Sequence, residues 1–79
     1  MEGQVKRSVV LFSHATSVAL EPSFWDVLEE IAREKGLSLP GLIEKVDQNR
    51  AVPKNLSASL RVFALETLRE KVQQLKKND

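Results

Sequence analysis

Few residues in this chain have chemistry to offer, and they are scattered. Lys6 and Arg7 stand side by side near the N-terminus, two cations that suit phosphate oxygens or, failing that, a solvated arm. His14 is the only histidine and there is no cysteine, which excludes disulfides, thiolate sites and clustered imidazole ligands; no metal or cofactor is expected. Ser17 lies in a short β-branched run, and Ser38 stands just ahead of an apolar helical pattern, where its hydroxyl suits an N-cap. The glycines, Gly3, Gly36 and Gly41, are too far apart for a phosphate-cradling loop, and no Ser-His-Asp arrangement is suggested. Glu29, Glu30 and Glu34 fall on the wet side of an amphipathic helix and read as a solvated face, so no enzyme is expected.

The elements that must position these groups begin with a short strand, Thr16 to Leu20. A lone strand can neither satisfy its backbone nor bury its apolar face. Its partner is therefore either Val9 to Phe12 of the same chain, joined through Ser13-His14-Ala15, or the same strand of a second chain. The second option makes a two-stranded ribbon on top of helices, a shape that fits the major groove of DNA. Period-2 alternation turns Thr16, Val18 and Leu20 toward the helices and leaves Ala15, Ser17 and Ala19 on the outer face. Residues 1–8 are expected to be a flexible basic arm and 9–79 the folded domain.

Pro22 suits a helix start, and Ser23 with Asp26 has the spacing of a capping box. Phe24, Val27, Leu28, Ile31 and Ala32 keep helical spacing, with Trp25 widening the stripe, and Gly36 is the expected left-handed end. After Ser38, the positions Leu39, Leu42, Ile43 and Val46 form a second stripe, with Pro40 tolerated in the first turn. Gly41 weakens that helix by ~1 kcal/mol relative to alanine, which suggests close packing. Residues 50–55 read as a loop. A third helix over about 57–76 offers Leu60, Phe63 and Ala64 to a core, then Leu65, Leu68, Val72 and Leu75 in a short heptad seam. Core or dimer-interface positions are therefore Val18, Leu20, Phe24, Trp25, Leu28, Ile31, Leu42, Ile43 and Val46. Arg61, alone in an apolar stretch, is assigned to a salt bridge with an acid of the first helix or of a partner.

With 79 residues the chain is one small domain, and a monomer of this size is marginal; its 42% apolar content suits a core completed by another subunit. The net charge of +1 is unevenly spread: residues 21–35 hold five acids against two bases, and residues 51–79 six bases against three acids. Any nucleic-acid contact needs a local basic surface doubled by symmetry. No apolar run approaches the ~18 residues of a membrane span, and a cytoplasmic protein is expected.

The order of strand, acidic helix, Lys35-Gly36-Leu37-Ser38 and second helix resembles a ribbon-helix-helix protein. The run His14-Ala15-Thr16-Ser17-Val18-Ala19-Leu20-Glu21-Pro22-Ser23-Phe24-Trp25 resembles the opening of a bacterial subfamily of small ribbon-helix-helix proteins within the superfamily that includes MetJ and Arc. Gly36-Leu37-Ser38-Leu39 with Leu42-Ile43 resembles its middle, and Asn55 to Glu66 its third segment. The resemblance covers about residues 6–68. It implies a mainly α fold with a short β ribbon, an intertwined homodimer, and here an additional C-terminal helix. It further implies a transcriptional regulator, often a repressor, whose ribbon enters the major groove of double-stranded DNA. Base edges would be met from the outer strand face, and a backbone phosphate would sit at the N-terminus of the second helix. On this chain those expectations fall on Lys6, Arg7, His14, Ala15, Ser17, Ala19 and Ser38.

The chain departs from the pattern at its outer face. Ribbon readers usually carry Arg, Lys, Gln or Asn there, and relatives tend to have arginine in place of Ala15. Alanine can touch a thymine methyl and serine can make one hydrogen bond, but neither gives the bidentate contact worth ~1–3 kcal/mol. Pro40 also removes one N–H from the phosphate site. The alternative is a protein-interaction module that keeps the fold without base readout. Its third helix would then bind a partner or join two dimers into a tetramer.

Overall fold

A computed structural model of the chain describes residues 3–49 and 55–77. The first two residues of the expected arm and residues 50–54 of the expected loop lie outside the described residues. Strands β1 (Val5–Leu11) and β2 (His14–Leu20) are followed by helices α1 (Pro22–Lys35), α2 (Leu39–Asn49) and α3 (Leu56–Lys77). β1 and β2 pair antiparallel, from Val5 opposite Leu20 to Leu11 opposite His14. The strand before α1 thus finds a partner in its own chain, and both strands are longer than expected.

Residues 5–8, expected in a flexible arm, are strand. Alternation of side chains runs unbroken back from Val9, the ladder with β2 pairs one edge of the segment, and the Trp25 Nε1–H donates to the Val5 carbonyl at 2.9 Å. The connection is also tighter than expected. Only Phe12 and Ser13 bridge the strands, with φ of 51° and 69°. Two left-handed residues match the right-handed twist of a two-residue hairpin, which usually recruits Asn-Gly for this purpose. The Glu44 carboxylate of α2 accepts the Phe12 N–H at 2.8 Å and ties the turn to the helices.

α1 starts at Pro22, with Glu21 rather than Ser23 in the cap position and no side-chain cap hydrogen bond. Proline's fixed φ is already helical and its missing N–H is no loss in the first turn, so the helix begins ahead of the expected capping box. At its other end Gly36, at φ 69°, donates to the Arg33 carbonyl, and Leu37 N–H reaches back to the Ala32 carbonyl at 2.8 Å. This pair of bonds is the Schellman closure. α2 is capped by Ser38, whose Oγ accepts the Gly41 N–H at 3.1 Å. A Cβ at Gly41 would lie 3.0 Å from that same Oγ, so the close approach expected there is to the cap. α3 is capped by Asn55, whose Oδ1 accepts the Ala58 N–H at 3.1 Å.

The core lies between the inner face of the hairpin and the three helices. Val9, Leu11, Val18 and Leu20 come from the strands, Trp25, Leu28, Ile31 and Ala32 from α1, Leu42, Ile43 and Val46 from α2, and Leu60 and Ala64 from α3. Each large side chain here is worth roughly 1.5–3 kcal/mol of transfer free energy. Phe24, expected with this set, is only half-buried and packs at its edge, with the Arg61 guanidinium 5.8 Å from its ring centroid. Thr16 shares the inner face with Val18 yet is exposed, because no helix of this chain covers it. α2 packs under β1 and α3 under β2. Beyond Ala64, α3 carries its seam into solvent: Leu65, Leu68, Val72 and Leu75 are all exposed.

Candidate nucleic-acid interface

Residues directly opposite in an antiparallel pair share a face. The register therefore sorts the hairpin into two sets. Lys6 lies opposite Ala19, Ser8 opposite Ser17, and Val10 opposite Ala15, and all six point away from the helices. Ala19 is half-buried and the other five are exposed. This outer face carries mostly small side chains and is mildly polar, with one cation at the end far from the turn. It brings together Lys6, Ala15, Ser17 and Ala19 from the sequence-derived set. It adds Ser8 and Val10, which period-2 alternation carried back from Val9 would have revealed.

Arg7 and His14 belong to the other face. Arg7 lies opposite Val18, its guanidinium carbon 4.7 Å from the centroid of the Trp25 ring and its Nη1 2.6 Å from Glu29 Oε1. It stacks over an aromatic face while pairing with a carboxylate, both of which hold it against α1. His14 lies opposite Leu11 beside the turn and is exposed. Neither side chain shares the surface that carries Lys6.

Ser38 is occupied by its cap. Pro40 has no N–H and the Gly41 N–H is held by Ser38 Oγ, which narrows what the first turn of α2 can offer an anion. Three of the five acids in residues 21–35 are met by cations from elsewhere in the fold. Glu29 pairs with Arg7, and Glu34 with Lys71 of α3. Glu21 takes a two-pronged contact from Arg61, Nε to Oε1 at 3.0 Å and Nη2 to Oε2 at 3.2 Å. The salt bridge assigned to Arg61 is therefore made, to the cap residue just ahead of α1. A backbone hydrogen bond at Glu21 holds its carboxyl below the ordinary 4.5, against desolvation, with donors from Arg61 and Gln4 and the Arg61 charge acting in the same direction. Pairing of this kind dilutes the negative field of residues 21–35, which would otherwise repel a polyanion near the hairpin.

Among the described residues, no cluster of three or more His, Cys, Asp or Glu is placed to hold a metal ion, and no helix is long and apolar enough to cross a membrane. A solved structure of an uncharacterized protein from Bordetella pertussis Tohama I is similar at 39% identity and a TM-score of 0.72. The similarity covers 99% of this chain and 63% of that one, so the chain spans less than two thirds of that protein's length. No match was found among curated proteins. The ribbon-helix-helix domain family matches over residues 4–68. That span takes in both strands, α1, α2 and the first part of α3, and the chain belongs to the ribbon-helix-helix domain family.

Proposed function

We propose that this protein is a homodimeric, DNA-binding transcriptional regulator of the bacterial cytoplasm, with the outer face of its β hairpin directed into the major groove. The observation that carries the reading is that face itself. Lys6, Ser8, Val10, Ala15 and Ser17, all exposed, and the half-buried Ala19 form one surface with a cation at one end, its small side chains low enough to approach base edges closely. Membership in a family whose domains typically bind DNA as dimers supports it.

The free edge of β2 supports the dimer. Among the described residues the sheet has two strands, so β2 keeps one unpaired edge of N–H and C=O groups there. A second copy adding its own β2 antiparallel across a twofold axis would satisfy both edges and give a four-stranded sheet. Strands ~4.8 Å apart put the two β1 strands ~14 Å from each other, slightly more than the ~12 Å width of the groove. Ala15, Ser17 and Ala19 of both copies then sit over the floor of the groove and the two Lys6 side chains over its phosphate walls. With Lys6 at the phosphates, the side chains over the groove floor, Ala15, Ser17 and Ala19, offer no bidentate contact, so specificity rests on methyl contacts, single serine hydrogen bonds and DNA shape.

The test is selection from random duplexes by the purified protein, followed by anisotropy of the recovered sites across salt. Recovery of a symmetric site bound well above random DNA is expected, and absence of any binding at low salt refutes the reading. A second reading, a protein-interaction module, is favoured by one observation, the exposed apolar residues of α3. It predicts that removal of residues 69–79 abolishes partner capture or changes the oligomeric state.

A further inference from the structure

We infer that the exposed apolar face of α3 closes the dimer beneath the ribbon, packing Val62, Leu65 and Leu68 against the same residues of a second copy of this chain. The inference rests on the β2-to-β2 pairing proposed above and assigns a role to an element that the pairing alone leaves unused.

Area is the first argument. β2 is seven residues long. At ~3.4 Å per residue its edge runs ~24 Å, and a strip ~10 Å deep covers roughly 240 Å², far short of the ~800 Å² per partner of a stable interface. Ribbon pairing alone therefore cannot hold the dimer, and the missing contact must come from the layer below. Position is the second argument. α3 is the helix packed under β2, whereas α2 lies under β1, so α3 stands on the side of the molecule where β2 is unpaired.

The surface found there has the right chemistry. Val62, Leu65 and Leu68 are 53%, 57% and 41% exposed. They border an apolar groove between α1 and α3 that Phe24, Val27 and Ala64 complete, with Arg61 at its rim already committed to Glu21. Thr16, on the inner face of the same strand that would pair, is also left exposed within one chain. A twofold axis through paired β2 strands brings each of these groups toward its own copy. The cationic positions Arg69, Lys76 and Lys77 lie further along α3, outside this patch.

The experiment uses the full chain. Light scattering and sedimentation compare wild type with the double variant Leu65→Glu, Leu68→Glu, whose side chains are exposed in the single chain, with circular dichroism and Trp25 fluorescence to verify folding. The expected result is a folded variant whose dimer dissociation constant rises about 100-fold, ~2.7 kcal/mol at ~1.4 kcal/mol per tenfold. In parallel, the chain has no cysteine, so Leu65→Cys should oxidise to a covalent dimer while Glu30→Cys, on the wet face of α1, should not. A wild-type dimer that the double variant leaves unchanged and that Leu65→Cys fails to cross-link overturns this inference alone. A monomeric wild type at micromolar concentration overturns the homodimer reading together with it.

Discussion

Lys6 and Arg7 are adjacent cations on opposite faces of one strand, so replacing each with alanine should produce opposite phenotypes. Arg7 is held by Trp25 and Glu29. Both partners of the ion pair are about two-fifths exposed, with side chains 39% and 41% accessible. Solvent screening therefore limits the pair to ~0.2–1 kcal/mol. Stacking over Trp25 contributes another ~0.5–1 kcal/mol at a site this exposed. Together Arg7→Ala should cost about 0.7–2 kcal/mol. For a domain of this size that lowers the melting temperature by roughly 4–8 °C per kcal/mol. Trp25 is the only tryptophan, so its fluorescence follows the transition directly, with circular dichroism as a second probe.

Lys6, exposed opposite Ala19, should cost less than ~0.5 kcal/mol of stability on replacement. Its effect belongs to DNA binding. With one phosphate contact per chain, the dimer loses two, and the slope of log K against log salt should flatten by about 1.8. Comparison at one protein concentration is required, because dimer stability depends on it. The reasoning fails if Lys6→Ala destabilises by more than ~1 kcal/mol. It also fails if Arg7→Ala keeps full stability while flattening the salt dependence as much as Lys6→Ala does.

Three further outcomes follow from local geometry. Phe12→Asn with Ser13→Gly should raise stability by roughly 0.5–1 kcal/mol in urea unfolding, because both positions hold positive φ. Ser38→Ala should cost ~1 kcal/mol through the lost cap; Gly41→Ala should stabilise the Ser38→Ala background more than it stabilises wild type, since its Cβ meets Ser38 Oγ at 3.0 Å. Glu21 has a folded pKa below its ordinary 4.5, so its contribution is present above that value and is lost as pH falls through the lowered one. Glu21→Gln should accordingly be less stable than wild type at neutral pH, with the difference closing in acid melts.

The amino-acid order determined the elements whose rules are local. A strand ending at Leu20, the proline start and left-handed Gly36 end of α1, the Ser38 cap and the stripes through Leu28, Ile31, Leu42, Ile43 and Val46 all follow from backbone chemistry within a few residues. Composition and the three segments between His14 and Glu66 were enough to place the chain in its family. The hairpin was less legible, because Phe12-Ser13 lacks the Asn-Gly signature and its strained turn is held by Glu44, 32 residues away in the chain. What only the tertiary structure decided is which side each polar group serves. Lys6 and Arg7 are indistinguishable as neighbours in sequence, yet the strand period sends one outward and the other onto Trp25 and Glu29, residues of a helix that no local rule connects to β1. The apolar positions of α3 likewise look alike along its length, but packing against the rest of the fold buries Leu60 and Ala64 and leaves Leu65, Leu68, Val72 and Leu75 exposed for another surface to cover.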